Sequence, residues 1–417
     1  MSEGTHEMRP SSRRAIVIGG SMSGLFAALL LLRQGWQVDV YERIAEELSG
    51  RGAGIVTHDE LFEVLRLCGI DSETARIGVA VRGRCVFAPD GSLVGEHPLP
   101  QVLTSWGRLY SLLREALPAE HYHRGRNLEA LDVDVAGVTA RFSNGETASA
   151  DLLIGADGIF SAVRRQLLPE AMPSYVGYIA WRGLVDEADL SPATREALFD
   201  SFAFSLPPGE QMLGYPVAGA DESMEPGRRR FNFVWYRPAA QVSALRELLT
   251  DVDGVQHELS IPPNKIRSAV QQEMRDAARR LLSPQFAEVV EKTAQPFIQA
   301  IQDLETPRMA LRGRVALIGD AAFVARPHVG MGVTKAAADA RSLARALDTH
   351  GDNIAAGLAA FEAERLPYGR AVIKRARDLG AYMQAQLLTP EERELAERHR
   401  KPEAVMTETA VSTGIAA

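Results

Sequence analysis

Cysteine is scarce in this 417-residue chain, which contains only Cys68 and Cys85. The two residues lack the paired spacing of a metal-binding motif, and nothing in their number suggests a disulfide framework. Such a composition suits a reducing compartment. We therefore expect a cytoplasmic protein that uses no metal.

Long hydrophobic runs and an excess of basic residues are also absent. The longest apolar run, 25–32, is too short to span a bilayer, and it follows a glycine turn instead of the basic leader of a signal peptide. The formal net charge is −8 and the pI is about 5.7. This balance argues against a nucleic-acid or anionic-membrane partner.

Alternating strand and helix patterns open the chain. They predict a strand over 15–19, a helix over 23–34 ended by Gly35, and a second strand over 36–42. A βαβ unit of this kind requires a parallel sheet with a right-handed crossover.

The first turn of this unit carries a degraded dinucleotide pattern, in which Gly19, Ser21 and Gly24 occupy the three glycine positions. Glycines there permit a tight turn and let backbone amides at a helix N-terminus approach a pyrophosphate. Serine is small and can still donate to phosphate. Glu42 ends the second strand, where a carboxylate can accept both ribose hydroxyls, so the pattern favours a nucleotide over a plain glycine-rich turn.

A second glycine-bearing turn, far along the chain, follows the buried strand pattern 315–319. Asp320 stands where a carboxylate could hold a polyhydroxylated chain such as ribityl. Pro327, Gly330 and Gly332 precede a predicted helix, whose bare N-terminal amides would favour negative charge on a bound ring. Together the two turns fit the adenosine half and the flavin half of one ligand.

A third element, Asp157 with Ser161 and Arg164, follows the apolar strand pattern 151–155. Taken alone, these residues are equally consistent with helix capping. From 175 to 237 the pattern changes to strands punctuated by Pro and Gly, which indicates an antiparallel sheet.

The predicted fold class is α/β, with a Rossmann-like FAD-binding domain assembled from several segments, an inserted antiparallel β-sheet substrate domain and C-terminal helices. The predicted division assigns 12–74, 101–171 and 296–350 to the FAD-binding domain, 75–100 and 172–295 to the substrate domain, 351–398 to the helical region, and 1–11 and 399–417 to loose tails.

In this order and spacing, the three elements resemble the class A FAD-dependent aromatic hydroxylases, the p-hydroxybenzoate hydroxylase superfamily. The resemblance covers residues 13–390. The Ser21 turn and the stretches 177–183 and 326–328 are most similar to the 2,6-dihydroxypyridine 3-hydroxylase branch.

The resemblance implies a role for each matching residue. The residues that it assigns to FAD are Gly19, Ser21, Gly24, Glu42 and Arg43 at the adenosine end, Arg108 on the phosphate and ribose side, Asp157 in a motif linked with both FAD and NAD(P)H, Asp320 at the ribityl chain, and Pro327, Gly330 and Gly332 along the ring.

The resemblance also implies an FAD-dependent monooxygenase that hydroxylates a small hydroxylated aromatic or N-heteroaromatic ring, such as a hydroxypyridine. In that scheme NAD(P)H reduces FAD, and a C4a-hydroperoxyflavin formed with O2 hydroxylates the ring. With one dinucleotide signature in the chain, the reductant is expected to bind transiently, with NADH slightly preferred. The oligomeric state is left open, and a homodimer is one option.

Three side chains are candidates for substrate chemistry. Tyr215 precedes a strand-breaking proline and could reach the cleft or lie in the core. His58 could contact the substrate or relay a proton, and His328, beside the ring-facing proline, could polarise the ring or lie at the surface. Trp181 and Arg182 fit sheet packing and a salt bridge better than a site.

Two other functions share these sequence features. A flavin-dependent reductase or oxidase could use the same FAD-binding frame without inserting oxygen. A non-enzymatic binding protein could use the same fold without FAD, although Asp320 and the 327–332 pattern would then have no purpose.

Overall fold

The computed structural model describes residues 13–48, 54–71, 75–239, 243–383 and 389–412. Its helices are α1 (Met22–Arg33), α2 (Asp59–Leu67), α3 (Trp106–Ala116), α4 (Ala162–Leu167), α5 (Pro192–Leu198), α6 (Ala244–Leu248), α7 (Ser268–Leu281), α8 (Pro284–Lys292), α9 (Gly332–His350), α10 (Ile354–Leu379), α11 (Pro390–His399) and α12 (Pro402–Glu408).

The strands are β1 (Arg14–Ile18), β2 (Gln37–Glu42), β3 (Gly54–Val56), β4 (Val79–Phe87), β5 (Leu93–Ser105), β6 (Tyr122–Arg124), β7 (Leu128–Val133), β8 (Val138–Phe142), β9 (Thr147–Ala150), β10 (Leu152–Gly155), β11 (Ser174–Asp186), β12 (Ser201–Ser205), β13 (Gln211–Val217), β14 (Arg230–Pro238), β15 (Ser260–Ile261), β16 (Phe297–Glu305), β17 (Ala310–Leu311), β18 (Val315–Leu317) and β19 (Phe323–Val324).

The first sheet contains the predicted βαβ unit. Its strand order is β17-β18-β10-β1-β2-β6, and all neighbours except β17 and β18 run parallel. In register, Ala15 of β1 lies opposite Leu152 on one side and Val38 on the other. Parallel strands with both faces covered are apolar throughout, and β10 is accordingly buried at every position.

Helix α1 is apolar on nearly every side, because it lies between the sheet and α9. Its residues from Leu25 to Leu31 are all buried. A helix buried this completely shows little amphipathic pattern. It holds the turn after β1 rigidly against the sheet.

The second sheet has ten strands in the order β15-β16-β11-β14-β13-β12-β4-β5-β3, with β19 paired to β16. Most neighbours are antiparallel, as predicted, but β12 and β4 run parallel. The sheet is therefore mixed. Helices α5, α7 and α8 cover one face over a core that includes Trp181, Phe233 and Trp235, which leaves the other face for the first sheet and the C-terminal segment.

Strand pairing differs from the predicted division in several places. Strands β3 and β16 belong to the second sheet, although both lie in segments predicted for the FAD-binding domain. Strand β5 crosses the predicted boundary at residue 100. Strands β8 and β9 form an antiparallel hairpin, with Asn144 and Gly145 in the turn between them.

The end of the chain is ordered as far as residue 412, so the prediction of a loose tail from 399 was wrong for 399–412. Helix α12 packs on β4 and β5 and buries Val405 and Met406. The remaining tail residues, 1–11 and 413–417, lie outside the described ranges. In the ranges that are described, no helix is both long and apolar enough to cross a membrane.

Candidate active site

A cavity of about 550 Å³ lies between the carboxyl ends of the first sheet and the open face of the second. The carboxyl ends of parallel strands meet at one edge, which is where such sheets bind ligands. Nine of the residues predicted for FAD lie on its wall: Gly19, Ser21, Glu42, Arg43, Asp157, Asp320, Pro327, Gly330 and Gly332. The two turns that are distant in sequence therefore face one space.

The turn between β1 and α1 leaves no room for side chains at its glycines. Gly19 has a φ of +107°, and a Cβ there would lie 2.4 Å from the Ala156 carbonyl oxygen. A Cβ on Gly24 would lie 1.9 Å from the Gly19 oxygen, so Gly24 serves packing and does not line the cavity. Ser21 precedes α1, and its side chain forms no capping bond. The free amides of α1 and this hydroxyl suit an anionic group.

Glu42 is buried at the end of β2 and lines the cavity. Its two oxygens accept hydrogen bonds from the backbone N–H of Gly20 at 2.8 Å and of Ile44 at 2.9 Å. Each carboxylate oxygen has a second lone pair, which can accept a ribose hydroxyl. The neighbouring Arg43 is exposed at the cavity edge.

A buried ion network fixes the Gly319-Asp320 turn from behind. The Lys335 Nζ donates to the Gly319 oxygen at 3.0 Å, and the Gly319 N–H donates to the Asp339 carboxylate at 3.1 Å. Asp339 also contacts Lys335 at 3.0 Å and Arg365 at 2.8 Å. Although burial opposes it, the charges of Lys335 and Arg365 lower the pKa of Asp339. The network therefore stays ionised and holds both the backbone N–H and the backbone carbonyl of Gly319.

Sequence reasoning missed this network. Its signal was available, since Lys335 and Asp339 lie four positions apart on the otherwise small and apolar beginning of α9. A charged pair at that spacing is usually read as a solvated helix face. In the folded chain, Arg365 of α10 pairs with Asp339 and completes a buried three-residue cluster, which the spacing on α9 alone does not indicate.

Asp320 projects into the cavity and accepts no hydrogen bond from the described part of the chain. Desolvation by the surrounding protein raises the pKa of the Asp320 carboxyl group, while the positive charge of Lys335 acts to lower it. Gly332, the first residue of α9, also lines the cavity, and a Cβ there would meet nothing within 4 Å. An acceptor beside bare helix amides suits a hydroxylated chain attached to a flat ring.

Asp157 both lines the cavity and caps α4. Its Oδ2 accepts from the N–H groups of Ala162 at 2.6 Å and Val163 at 3.2 Å. Burial raises the pKa of this carboxyl group. These bonds from Ala162 and Val163 confirm the capping interpretation of Asp157. The nearby Arg164 is buried and donates to the Ala321 oxygen at 2.9 Å, which links this turn to the one at Asp320.

Arg108 does not line the cavity, contrary to its predicted contact with the phosphate and ribose side. Its guanidinium pairs with Glu222 and donates to the Ala75 oxygen. Strand β5 directs the start of α3 so that Trp106 reaches the cavity instead.

The two candidate histidines lie behind the cavity wall. The His328 ring is buried between the Tyr178 hydroxyl at 2.9 Å and the Gln211 amide oxygen at 3.1 Å, and burial lowers its pKa to about 3. His58 contacts the Thr334 hydroxyl at 3.0 Å, and burial lowers its pKa to about 4. The lowered pKa values keep both rings neutral at pH 7, and neither ring lines the cavity.

Tyr215 does line the cavity, on the face of the second sheet opposite the glycine turns. Burial raises the pKa of its hydroxyl, and the positive charge of Arg182 partly opposes this. The phenol is therefore protonated at neutral pH and can donate a hydrogen bond but cannot act as a base.

Arg182 lines the cavity as well, and the prediction of a packing and salt-bridge role for it was wrong. Trp181, its neighbour, does pack in the core under the helices. Successive residues of a strand point to opposite faces, so one of the pair must face the cavity. Which one does so depends on which face the helices cover, and the strand pattern alone does not reveal that.

The C-terminal segment 402–410 completes the wall. Thr409 and Ala410 line the cavity, and the Ala410 N–H donates to the His328 oxygen at 2.8 Å. Ala410 also explains Gly330, where a Cβ would lie 2.5 Å from the Ala410 Cβ. Buried Arg84 anchors the segment by donating to the Met406 oxygen at 3.1 Å, the Ala410 oxygen at 3.2 Å and the Thr409 oxygen.

A metal site is not among the features of the described ranges, where no three His, Cys, Asp or Glu side chains form a group that could hold an ion. The cavity instead joins an acceptor-rich, amide-lined half to an aromatic half that includes Arg182. This arrangement can bind a long cofactor and place a small ring against its far end.

Comparison with known proteins gives consistent matches. The family model described as FAD binding domain-like matches residues 175–303. The 2,6-dihydroxypyridine 3-monooxygenase of Paenarthrobacter nicotinovorans is 35% identical over 377 residues, which are 90% of this chain and 93% of that enzyme. The 6-hydroxynicotinate 3-monooxygenase of Pseudomonas fluorescens is 27% identical over 375 residues, 85% of this chain and 88% of that enzyme.

Solved structures show the same fold. The 2,6-dihydroxypyridine-3-hydroxylase of Arthrobacter nicotinovorans superposes with a TM-score of 0.84 at 34% identity, covering 92% of this chain and 96% of that one. Klebsiella pneumoniae HpxO, solved with FAD and uric acid, superposes with a TM-score of 0.73 at 24% identity, covering 92% of this chain and 93% of that one.

Proposed function

The chain belongs to the class A FAD-dependent aromatic hydroxylases, and we propose that its substrate is a hydroxypyridine, hydroxylated with NAD(P)H as reductant and O2 as oxygen source. It is an FAD-dependent monooxygenase of small hydroxylated aromatic or N-heteroaromatic rings. The observation that carries the proposal is the single cavity that receives both glycine-bearing turns and the open face of the second sheet.

The cavity residues fit FAD. Glu42 has free lone pairs for the adenosine ribose, and Ser21 with the α1 amides suits the pyrophosphate. Asp320 is an acceptor without a hydrogen-bond partner in the described ranges, as the ribityl hydroxyls require. Gly332 leaves the start of α9 open to the ring. When bound, FAD supplies the two-electron reduction and the transfer of one oxygen atom from O2 to the substrate.

The chain's own residues bind and orient the substrate ring. Tyr215 donates a hydrogen bond to an oxygen of the ring, since its hydroxyl stays protonated. Thr409 and Ala410 close the cavity beside Gly330 and exclude water from the reacting atoms. No histidine is assigned as a base, because His58 and His328 lie behind the wall.

The test uses purified holoenzyme, with FAD confirmed by its visible absorption. Oxidation of NADH and of NADPH is followed in parallel with 2,6-dihydroxypyridine, 6-hydroxynicotinate and phenol, and products are identified by mass. We expect a hydroxypyridine to accelerate oxidation and gain one oxygen atom. Rapid oxidation that yields only hydrogen peroxide with every ring would support a reductase or oxidase instead. A colourless protein that cannot be reconstituted with FAD would contradict the proposal entirely.

A further inference from the structure

Arg182 occupies the centre of the substrate-facing side of the second sheet. In register it lies opposite Val234 of β14, and Val234 lies opposite Leu213 of β13. Directly paired residues of antiparallel strands share a face, and all three line the cavity. Tyr215 and Tyr236 flank this row on the same face. Arg182 therefore lines the cavity among apolar and aromatic neighbours from β13 and β14, while Gln299 of β16 and Arg326 also line the cavity.

This guanidinium lacks a carboxylate partner among the described residues. Its Nε is buried without a hydrogen-bond partner, and its positive charge acts to lower the pKa of the neighbouring Tyr236 hydroxyl. Two other arginines beside the same sheet are satisfied by acids, Arg229 by Glu187 at 2.8 Å and Arg237 by Glu210 at 3.1 Å.

Arg182 is half-buried, and a half-buried cation without a counter-charge is stabilised when a ligand supplies a negative charge beside it. Burial raises the pKa values of Tyr215 and Tyr236, and Arg182 opposes that rise without overcoming it, so neither tyrosine provides a resident anion. A ligand bound in the cavity can therefore supply the counter-charge.

We propose that Arg182 is a specificity residue that binds an anionic oxygen of the ring substrate, either an ionised ring hydroxyl or a ring carboxylate. The proposal rests on the proposed function and adds the charge state of the substrate. A guanidinium has five donors and no acceptor, and it matches a planar anion well. Ionisation of a ring hydroxyl also enriches the ring in electrons, which suits attack on an electrophilic oxygen.

The experiment measures ligand affinity directly. Holoenzyme is titrated with 2,6-dihydroxypyridine, 6-hydroxynicotinate, benzoate and the neutral analogue 2-methoxypyridine, and binding is read from the change in flavin absorption between pH 5 and pH 9. We expect anionic rings to bind more tightly than the neutral analogue, and hydroxypyridine affinity to rise as the ring ionises. Comparing benzoate with 2,6-dihydroxypyridine separates the carboxylate from the ionised hydroxyl.

Two variants assign this preference to Arg182. Arg182→Gln should lose about 10- to 100-fold in affinity for anionic rings, the effect of one or two charge-assisted hydrogen bonds. It should keep its FAD and its affinity for 2-methoxypyridine, and Arg182→Lys should recover part of the loss. Arg237→Gln, outside the cavity on the same sheet, is the matched control and should bind every ring normally.

The proposal is overturned if Arg182→Gln retains the wild-type ratio of anionic to neutral affinity, or if no anionic ring in the panel binds wild-type enzyme better than the neutral one. If an Arg182 variant fails to fold, titration of the wild-type enzyme alone still decides whether anionic rings bind better than the neutral analogue. Absence of hydroxylated product with normal anion preference would contradict the proposed function and leave the role of Arg182 standing.

Discussion

Replacement of Arg84 by methionine should release the C-terminal segment and open the cavity. The Arg84 side chain is buried, and besides three carbonyl groups of the segment it contacts the Gln101 amide oxygen at 2.7 Å. Without the guanidinium, each carbonyl that stays buried and unpaired costs about 1–3 kcal/mol, or roughly 3–9 kcal/mol in all.

The apolar contacts of segment 402–410 cannot offset the cost of leaving its carbonyl groups unpaired. Burial of Val405 and Met406 contributes about 1.5–3 kcal/mol each, against a backbone ordering cost of about 1–2 kcal/mol for each residue. The segment should therefore detach and hydrate its carbonyl groups. This escape limits the loss of global stability, so the effect should be local.

The first assay is amide hydrogen exchange of residues 402–410. The second measures how tightly NAD(P)H oxidation is coupled to hydroxylation of the substrate. In Arg84→Met, exchange in this segment should accelerate at least about tenfold, the equivalent of about 1.4 kcal/mol. The fraction of NAD(P)H oxidation that ends as hydrogen peroxide should rise, because Thr409 and Ala410 no longer exclude water. Arg82→Met is the matched control, since Arg82 lies on the same strand in an exposed pair with Asp200.

Unchanged exchange in Arg84→Met would refute the anchoring role of the guanidinium. Faster exchange with unchanged peroxide formation would refute the argument that this segment protects the reaction.

Three further perturbations follow from the site. Gly24→Ala should lower FAD content strongly, because its Cβ would lie 1.9 Å from the Gly19 oxygen; a normal flavin-to-protein absorbance ratio would contradict this. Asp339→Asn should lower the free energy of unfolding by about 3–5 kcal/mol, because it leaves the buried Lys335 without its counter-charge; urea unfolding that changes by less than about 1 kcal/mol would argue against the network. His328 accepts a proton in the unfolded chain near its ordinary pKa but in the folded chain only near pH 3, so stability should be full above pH 6.5 and fall by about 3 kcal/mol by pH 4, with a flatter urea-midpoint profile in His328→Gln as the check.

The parts of the site that sequence predicted are those set by local backbone. Gly19 and Gly24 were identified because a turn between a strand and a helix leaves no space for a Cβ, and this holds whatever lies elsewhere in the chain. Asp320 and Gly332 were also identified from local pattern, because the first follows a buried strand as a carboxylate acceptor and the second precedes a predicted helix with bare N-terminal amides. Their assignment to FAD stays a prediction.

The parts that sequence missed depend on contacts between distant segments. Arg108 turns toward Glu222, His328 toward Tyr178, and Arg182 toward the cavity. The hydrophobic periodicity of a strand or helix does not reveal which of its faces a distant segment of the chain will cover. The parallel pairing of β12 with β4 and the docking of α12 were missed on the same ground.

The central claim is that the turns after β1 and β18 hold the two ends of one FAD molecule. A crystal structure of the purified holoenzyme tests it most directly. We predict FAD density that runs from Glu42, past Ser21 and Asp320, to Gly332, with the ring facing Tyr215. Density for FAD that avoids either turn, or a cavity closed by side chains between Glu42 and Gly332, would contradict the claim.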